Sequence, residues 1–220
     1  PTVAGGRLFV ASENGEVHAL DPRTGCTWWT FKAQAGVRTA LTVATSRPTR
    51  GTPITAVFFG DGRANVYAVD AQSGVQLWTR RIDEHLSAAI TGAPIVHDGR
   101  LFVGVQGLGE EGRGATNGYN CCTFRGSLTA LDTTTGAVLW KTYTIDPSLP
   151  RAKNKDGVQM YGPAGGAIWS APSVDIKRGL VYATTGNAYA DPPQKMTNAV
   201  IAFDQKTGAV RWHRQLTPAD

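Results

Sequence analysis

Short runs of alternating apolar and polar residues recur along the chain, each closed by a cluster of turn-forming residues. Leu8–Ala11, Thr55–Gly60, Leu101–Val105 and Leu180–Thr184 read as strands, and each precedes a segment of nearly fixed wording. Those segments are VHALDPRTGCTWW from Val17, VYAVDAQSGVQLW from Val66, LTALDTTTGAVLW from Leu128 and VIAFDQKTGAVRW from Val200. Each sets Gly four residues after Asp and Trp four after Gly, giving Asp21/Gly25/Trp29, Asp70/Gly74/Trp78, Asp132/Gly136/Trp140 and Asp204/Gly208/Trp212. A strand ends at the Asp, whose side chain can cap the turn. The Gly accepts a positive φ that a β-carbon resists. A second antiparallel strand then carries the Trp to a fixed place. Repetition at intervals of 49, 62 and 72 residues predicts a radial array of four-stranded sheets, an all-β propeller, with one Trp per blade docking between neighbouring sheets. The blades fall at about residues 1–32, 33–81, 82–145 and 160–216, with an insert at 146–159.

Composition agrees with short strands and tight turns: 26 Gly and 12 Pro in 220 residues. At 41% hydrophobic the chain can bury one good core or two small ones. Its net charge of +5 is scattered, which excludes a nucleic-acid surface; the densest basic stretch, Arg151 to Lys155, reads as a solvated loop. No apolar run is long enough to span a membrane. No secretory leader precedes the first strand; Pro1 and Thr2 abut a strand-like run as though the start had been cut away.

A repeat alone describes a scaffold, so candidate chemistry lies in residues found in one blade only. Cys121 and Cys122 are adjacent; such a pair is either two small buried hydrophobes or a disulfide closing a strained ring, which needs an oxidising compartment. Cys26 lies within a repeat segment and reads as core. Trp169 stands apart from every repeat segment, where a blade's first, axis-facing strand begins, and Asn187 follows eighteen residues later. Glu110 and Glu111 sit in a glycine-rich loop after LFVGVQGLG; paired acids there are solvated unless oxygen donors converge on a cation. His18, His85, His97 and His213 lie apart in the chain, which argues against a zinc site.

The Trp-docking repeat, together with these irregular residues, resembles the eight-bladed PQQ-dependent (quinoprotein) alcohol dehydrogenases. The likeness covers nearly the whole chain, and NCCTFRGS is most similar to the polyvinyl-alcohol dehydrogenase branch. Four blades are half of that ring, so the sequence is expected to be a fragment whose closure needs the remaining blades. The resemblance implies PQQ and Ca²⁺ as cofactors. It implies that Trp169 stacks on the quinone, that the Cys121–Cys122 pair packs on it as a vicinal disulfide, and that Thr91, Arg38 and Arg125 contact its polar rim. Arg125 has a purely structural reading beside this one. The resemblance also implies that Asn187 and one carboxylate of the Glu110–Glu111 pair bind the metal. It further implies an alcohol substrate, a cytochrome c electron acceptor, a periplasmic location and a haem c elsewhere in the full-length protein. The family's proton-abstracting Asp has no match in this sequence, so the chain alone is expected to be inactive. The alternative is a non-catalytic propeller that binds partner proteins, like the outer-membrane assembly lipoprotein. That scaffold needs none of Cys121, Cys122, Trp169 or the acid/Asn set.

Overall fold

The computed structural model describes residues 1–46, 52–107, 109–114, 116 and 118–218. The first sheet runs β1 (Thr2–Ala4), β2 (Arg7–Ala11), β3 (Glu16–Leu20) and β4 (Thr27–Lys32), and the second β5 (Thr42–Ser46), β6 (Ile54–Gly60), β7 (Asn65–Asp70) and β8 (Gln76–Arg81). The third adds a short strand β9 (Ala88–Ala89) to β10 (Ile95–His97), β11 (Arg100–Gly107), β12 (Ser127–Asp132) and β13 (Val138–Tyr143), with a helical turn α1 (Glu110–Gly114) between β11 and β12. An exposed hairpin of β14 (Leu149–Lys153) and β15 (Gln159–Gly162) follows, then β16 (Ala164–Gly165), β17 (Ser173–Asp175), β18 (Leu180–Thr184), β19 (Ala188–Ala190), β20 (Ala199–Asp204) and β21 (Val210–Gln215). Strands β17, β18, β20 and β21 form the fourth sheet, while β16 pairs with β19. Every pairing among these strands is antiparallel. Residues 151–153 of the basic stretch read as a loop are thus in a strand, though one exposed throughout.

The four repeat segments share one geometry. In each, the Asp carboxylate accepts the backbone N–H groups two and three residues on; for Asp132 these are Thr134 at 3.0 Å and Thr135 at 2.8 Å. The Gly closes the turn at a φ between 68° and 76°. A bulge then shifts the register beside an Ala–Trp pair: Ala19–Trp29, Ala68–Trp78, Ala130–Trp140 and Ala202–Trp212. Because the second residue before each Asp is Ala, the opposing indole has room to lie over its own sheet. There it meets an aromatic ring from the second strand of that sheet: Phe9–Trp29, Phe58–Trp78, Phe102–Trp140 and Tyr182–Trp212, with centroids 5.7 to 6.0 Å apart.

The other face of the first three indoles joins the next blade. Trp29 Nε1 donates to Ala71 O at 3.1 Å, Trp78 Nε1 to Thr133 O at 3.0 Å and Trp140 Nε1 to Gln205 O at 3.3 Å. In every case the acceptor follows the Asp of the next repeat. The ring lies on that repeat's Gly, where a β-carbon would come within 2.7 Å of Trp29 from Gly74, 2.6 Å of Trp78 from Gly136 and 2.5 Å of Trp140 from Gly208. The repeat glycine therefore serves two needs at once, the turn's positive φ and a bare face for the indole. Cys26, expected in the core, is exposed and unpaired in the turn after Gly25. The repeat keeps its turn outside the sheet, which leaves that position no core to enter.

These joints predict an asymmetry between glycines of equal φ. Gly136→Ala meets both the left-handed backbone penalty and the Trp78 ring, for a loss of about 3 kcal/mol. Gly99→Ala, at φ 69° with nothing within 4 Å, meets the backbone penalty alone, about 1 kcal/mol. Urea unfolding of the two variants measures the difference; equal losses would remove the indole joint as the cause.

Candidate functional site

Antiparallel order within each blade sends the turns after Asp21, Asp70, Asp132 and Asp204 to one end of the sheets. The connections from second to third strand, and from one blade to the next, emerge at the opposite end. All of the candidate residues lie in connections of this second end, between β4 and β5, β8 and β10, β11 and β12, β16 and β17, or β18 and β19.

Trp169 keeps 42% of its surface exposed. Thr91 Oγ1 donates to the Trp169 carbonyl at 3.2 Å, and a β-carbon on Gly186 would stand 3.0 Å from Trp169 Nε1. The indole thus lies against the segment that continues into Asn187, and Thr91, Trp169 and Asn187 form one cluster. Asn187 is half-buried; its carbonyl accepts Gly166 N at 3.0 Å and its side-chain amide donates to Ala188 O at 3.3 Å.

Cys121 and Cys122 are joined by a disulfide across a cis peptide bond. The pair is buried, at 6% and 0% exposure, against Ala164, Tyr119, Met160, Tyr189 and Ala190. Reciprocal backbone bonds, Cys122 N to Tyr161 O at 3.1 Å and Tyr161 N to Cys121 O at 2.6 Å, fasten it to β15. Tyr189 lies two residues beyond Asn187, so the disulfide cluster and the Trp169 cluster meet along residues 186–190.

Glu110 is fully buried in α1, which packs on β19. Its Oε1 accepts the Tyr119 hydroxyl at 3.0 Å and Thr123 N at 2.9 Å, and Oε2 accepts Phe124 N at 2.6 Å. His85 Nε2 approaches Oε1 at 3.5 Å. Burial pushes the carboxyl's pKa up, but the contact with His85 and the two backbone amides outweigh it and hold it below the ordinary 4.5. The Glu111 side chain lies outside the described residues. Among the described residues no group of three or more His, Cys, Asp or Glu converges as a metal cage.

The two arginines stand apart from these clusters. Arg38 pairs with Glu13 at 3.4 Å in the exposed connection between the first two sheets. Arg125 turns outward: its guanidinium lies 3.9 Å over the Tyr143 ring and donates to Ile145 O from Nε at 3.2 Å and Nη2 at 2.7 Å.

One residue was not singled out from the sequence. Gln106, at the loop end of β11, is completely buried, and neither amide atom has a hydrogen-bond partner among the described residues. Strand alternation puts it on the face of Gly104, whose β-carbon would stand against Ile168. Ile168 N also bonds Val105 O at 3.1 Å. Gln106 thus faces the chain that delivers Trp169. Its signal in the sequence is a lone amide in an apolar and glycine run, LFVGVQG.

Comparison with known proteins agrees with the fold. The chain is 45% identical to the polyvinylalcohol dehydrogenase of a Pseudomonas species and 42% identical to that of a Sphingopyxis species, over its whole length and 34% and 33% of theirs. It therefore spans about a third of the curated relatives it matches. Quinohemoprotein alcohol dehydrogenase ADHIIG from Pseudomonas putida superposes with a TM-score of 0.77 at 24% identity, covering all of this chain and 34% of that one. The enzyme from Comamonas testosteroni superposes with a TM-score of 0.73 at 25% identity, covering all of this chain and 35% of that one. The sheets accordingly have the arrangement of β-propeller blades. With residues 1–220 all matched by the PQQ glucose/ethanol/alcohol dehydrogenase β-propeller domain, the chain belongs to that family of quinoproteins.

Proposed function

We propose that this chain forms part of the cofactor chamber of a PQQ- and Ca²⁺-dependent alcohol dehydrogenase. The observation that carries the reading is the buried, unpaired Gln106 amide facing the segment that carries the half-exposed Trp169. A buried amide without partners costs about 1–3 kcal/mol, and a polar group bound there recovers that cost. PQQ is flat, with a rim of carboxylates and carbonyls. A bare indole face, an amide that both donates and accepts, and the Thr91 hydroxyl suit it. When bound, PQQ supplies the two-electron acceptor for alcohol oxidation, with Ca²⁺ as Lewis acid at its carbonyl.

The chain's own residues hold and shape the site. Trp169 provides the stacking surface and Gln106 a hydrogen-bonding edge. Cys121–Cys122 adds an apolar, polarisable sulfur wall along residues 186–190. Asn187 offers a side-chain oxygen to the metal, together with one carboxylate of the Glu110–Glu111 pair; a hard cation favours that neutral-plus-anionic oxygen mixture. Arg38 and Arg125, held by Glu13 and Tyr143, shape the rim outside the stack. Removal of the hydroxyl proton is assigned to no residue of this chain.

The substrate is a secondary alcohol of the polyvinyl-alcohol type, as the names of the 45% and 42% identical relatives suggest. The acceptor is a cytochrome c, named for the 1-butanol dehydrogenase of Thauera butanivorans at 27% identity. Haem c in the longer protein and a periplasmic location complete the proposal; the disulfide suits an oxidising compartment.

Two measurements test the chamber. Titration of the chain with PQQ in the presence of Ca²⁺ quenches tryptophan fluorescence, and Trp169→Ala removes most of the saturable quenching; equal quenching in the variant would exclude Trp169 as the stack. Gln106→Leu has opposite effects on stability and binding. It stabilises the cofactor-free chain by about 1–2 kcal/mol in urea, because an unsatisfied buried amide is gone. It also weakens PQQ binding about tenfold. A variant that loses stability without losing affinity would show the amide to be structural.

A further inference from the structure

We infer that Glu110 is a positioning residue for the Cys121–Cys122 loop and not a metal ligand. The inference deepens the quinone reading, which explains only why that loop must be held still; the clamp itself rests on contacts within the chain.

An ionised carboxylate offers about four lone-pair sites. Glu110 has three filled by donors within 3.0 Å and a fourth donor, His85, at 3.5 Å. Those donors are chosen by position. Tyr119 stands two residues before the disulfide, and Thr123 and Phe124 directly follow it, so one buried carboxylate ties down both flanks of the pair. His85 braces the clamp from the connection between the second and third sheets. Its Nδ1 accepts Ser87 N at 3.1 Å, which leaves the ring hydrogen on Nε2, the atom that faces Thr123 Oγ1 at 3.0 Å and Glu110. Phe124, fixed by its amide, lays its ring between His85 and Tyr189, with centroids at 5.6 and 6.0 Å. That placement requires Gly107, whose β-carbon would stand 2.5 Å from the Phe124 ring.

Turning Glu110 toward a cation breaks these bonds and strands the Phe124 amide, which is buried with its residue. If one carboxylate of the pair serves Ca²⁺, as proposed above, this leaves Glu111 for that role.

The test compares Glu110→Gln, Glu111→Gln and Tyr119→Phe in the full chain. The first readout is the rate at which dithiothreitol reduces Cys121–Cys122 below the melting temperature, followed by mass after alkylation. The second is calorimetric Ca²⁺ titration with PQQ present. The glutamine amide at position 110 sets a donor against backbone donors and speeds reduction about tenfold, while Glu111→Gln leaves the rate unchanged. Ca²⁺ affinity falls at least about tenfold in Glu111→Gln and less than about threefold in Glu110→Gln. Reversed affinities, or reduction no faster in Glu110→Gln, overturn the inference. Should Glu110→Gln not fold, Tyr119→Phe decides: it removes one donor and speeds reduction about threefold if the clamp is real, and an unchanged rate refutes it. Faster reduction in a chain that binds neither PQQ nor Ca²⁺ supports the clamp and sinks the quinone reading alone.

Discussion

An indole lying on a glycine of the neighbouring sheet is the contact on which the rest of the molecule depends. The positive φ that closes the turn after each repeat Asp forces glycine there, and the missing β-carbon bares the surface on which the preceding blade's Trp lies. The carbonyl that accepts Nε1 comes from the same turn. One short motif thus fixes the hairpin and the angle between sheets together. Truncating a buried Trp typically costs about 3–5 kcal/mol, so a few such joints rival the net stability of a whole domain.

Because the joints sit at the turn end, the opposite end is free to vary. The repeat is constant from Asp to Trp, and the differing intervals of 49, 62 and 72 residues fall in the strands and connections between motifs. The short connection of the second blade is closed upon itself around Asp61. The long ones of the third and fourth blades carry the disulfide, α1, the β14–β15 hairpin and Trp169. Rigid sheets hold these loops, a division of labour common where binding residues must differ among related scaffolds.

The architecture was legible in the sequence because its determinants are local: Asp, Gly and Trp at fixed offsets specify turn, bulge and joint without knowledge of any distant residue. The site was legible only where rarity marked a residue, as with Trp169 and the adjacent cysteines. Glu110 and Glu111 are indistinguishable as letters; Tyr119, Thr123 and Phe124, nine to fourteen residues away, are what tell one of them apart. Arg125 reads as a cofactor contact with a structural alternative, and only the fold shows the Tyr143 ring and the Ile145 carbonyl beside its guanidinium. Cys26 read as core because its segment is core, yet it stands in the turn, outside the sheet. Gln106 carried almost no mark, since the failure of a side chain to find a partner is a property of the fold.

Three buried polar side chains at the loop end show how hydrogen bonding separates structure from function. Asp61 accepts Arg63 N, Asn65 N, the Asn65 amide and the Tyr67 hydroxyl within 3.0 Å, and Glu110 is similarly filled. Both have recovered within the chain the solvation they gave up, and so can act as braces. Gln106 has recovered nothing. Leu at this position would fill similar volume without the penalty. Under the proposed function, the partner of this amide comes from outside the chain. The desolvation penalty of the unpaired amide then becomes affinity for the group proposed to bind it.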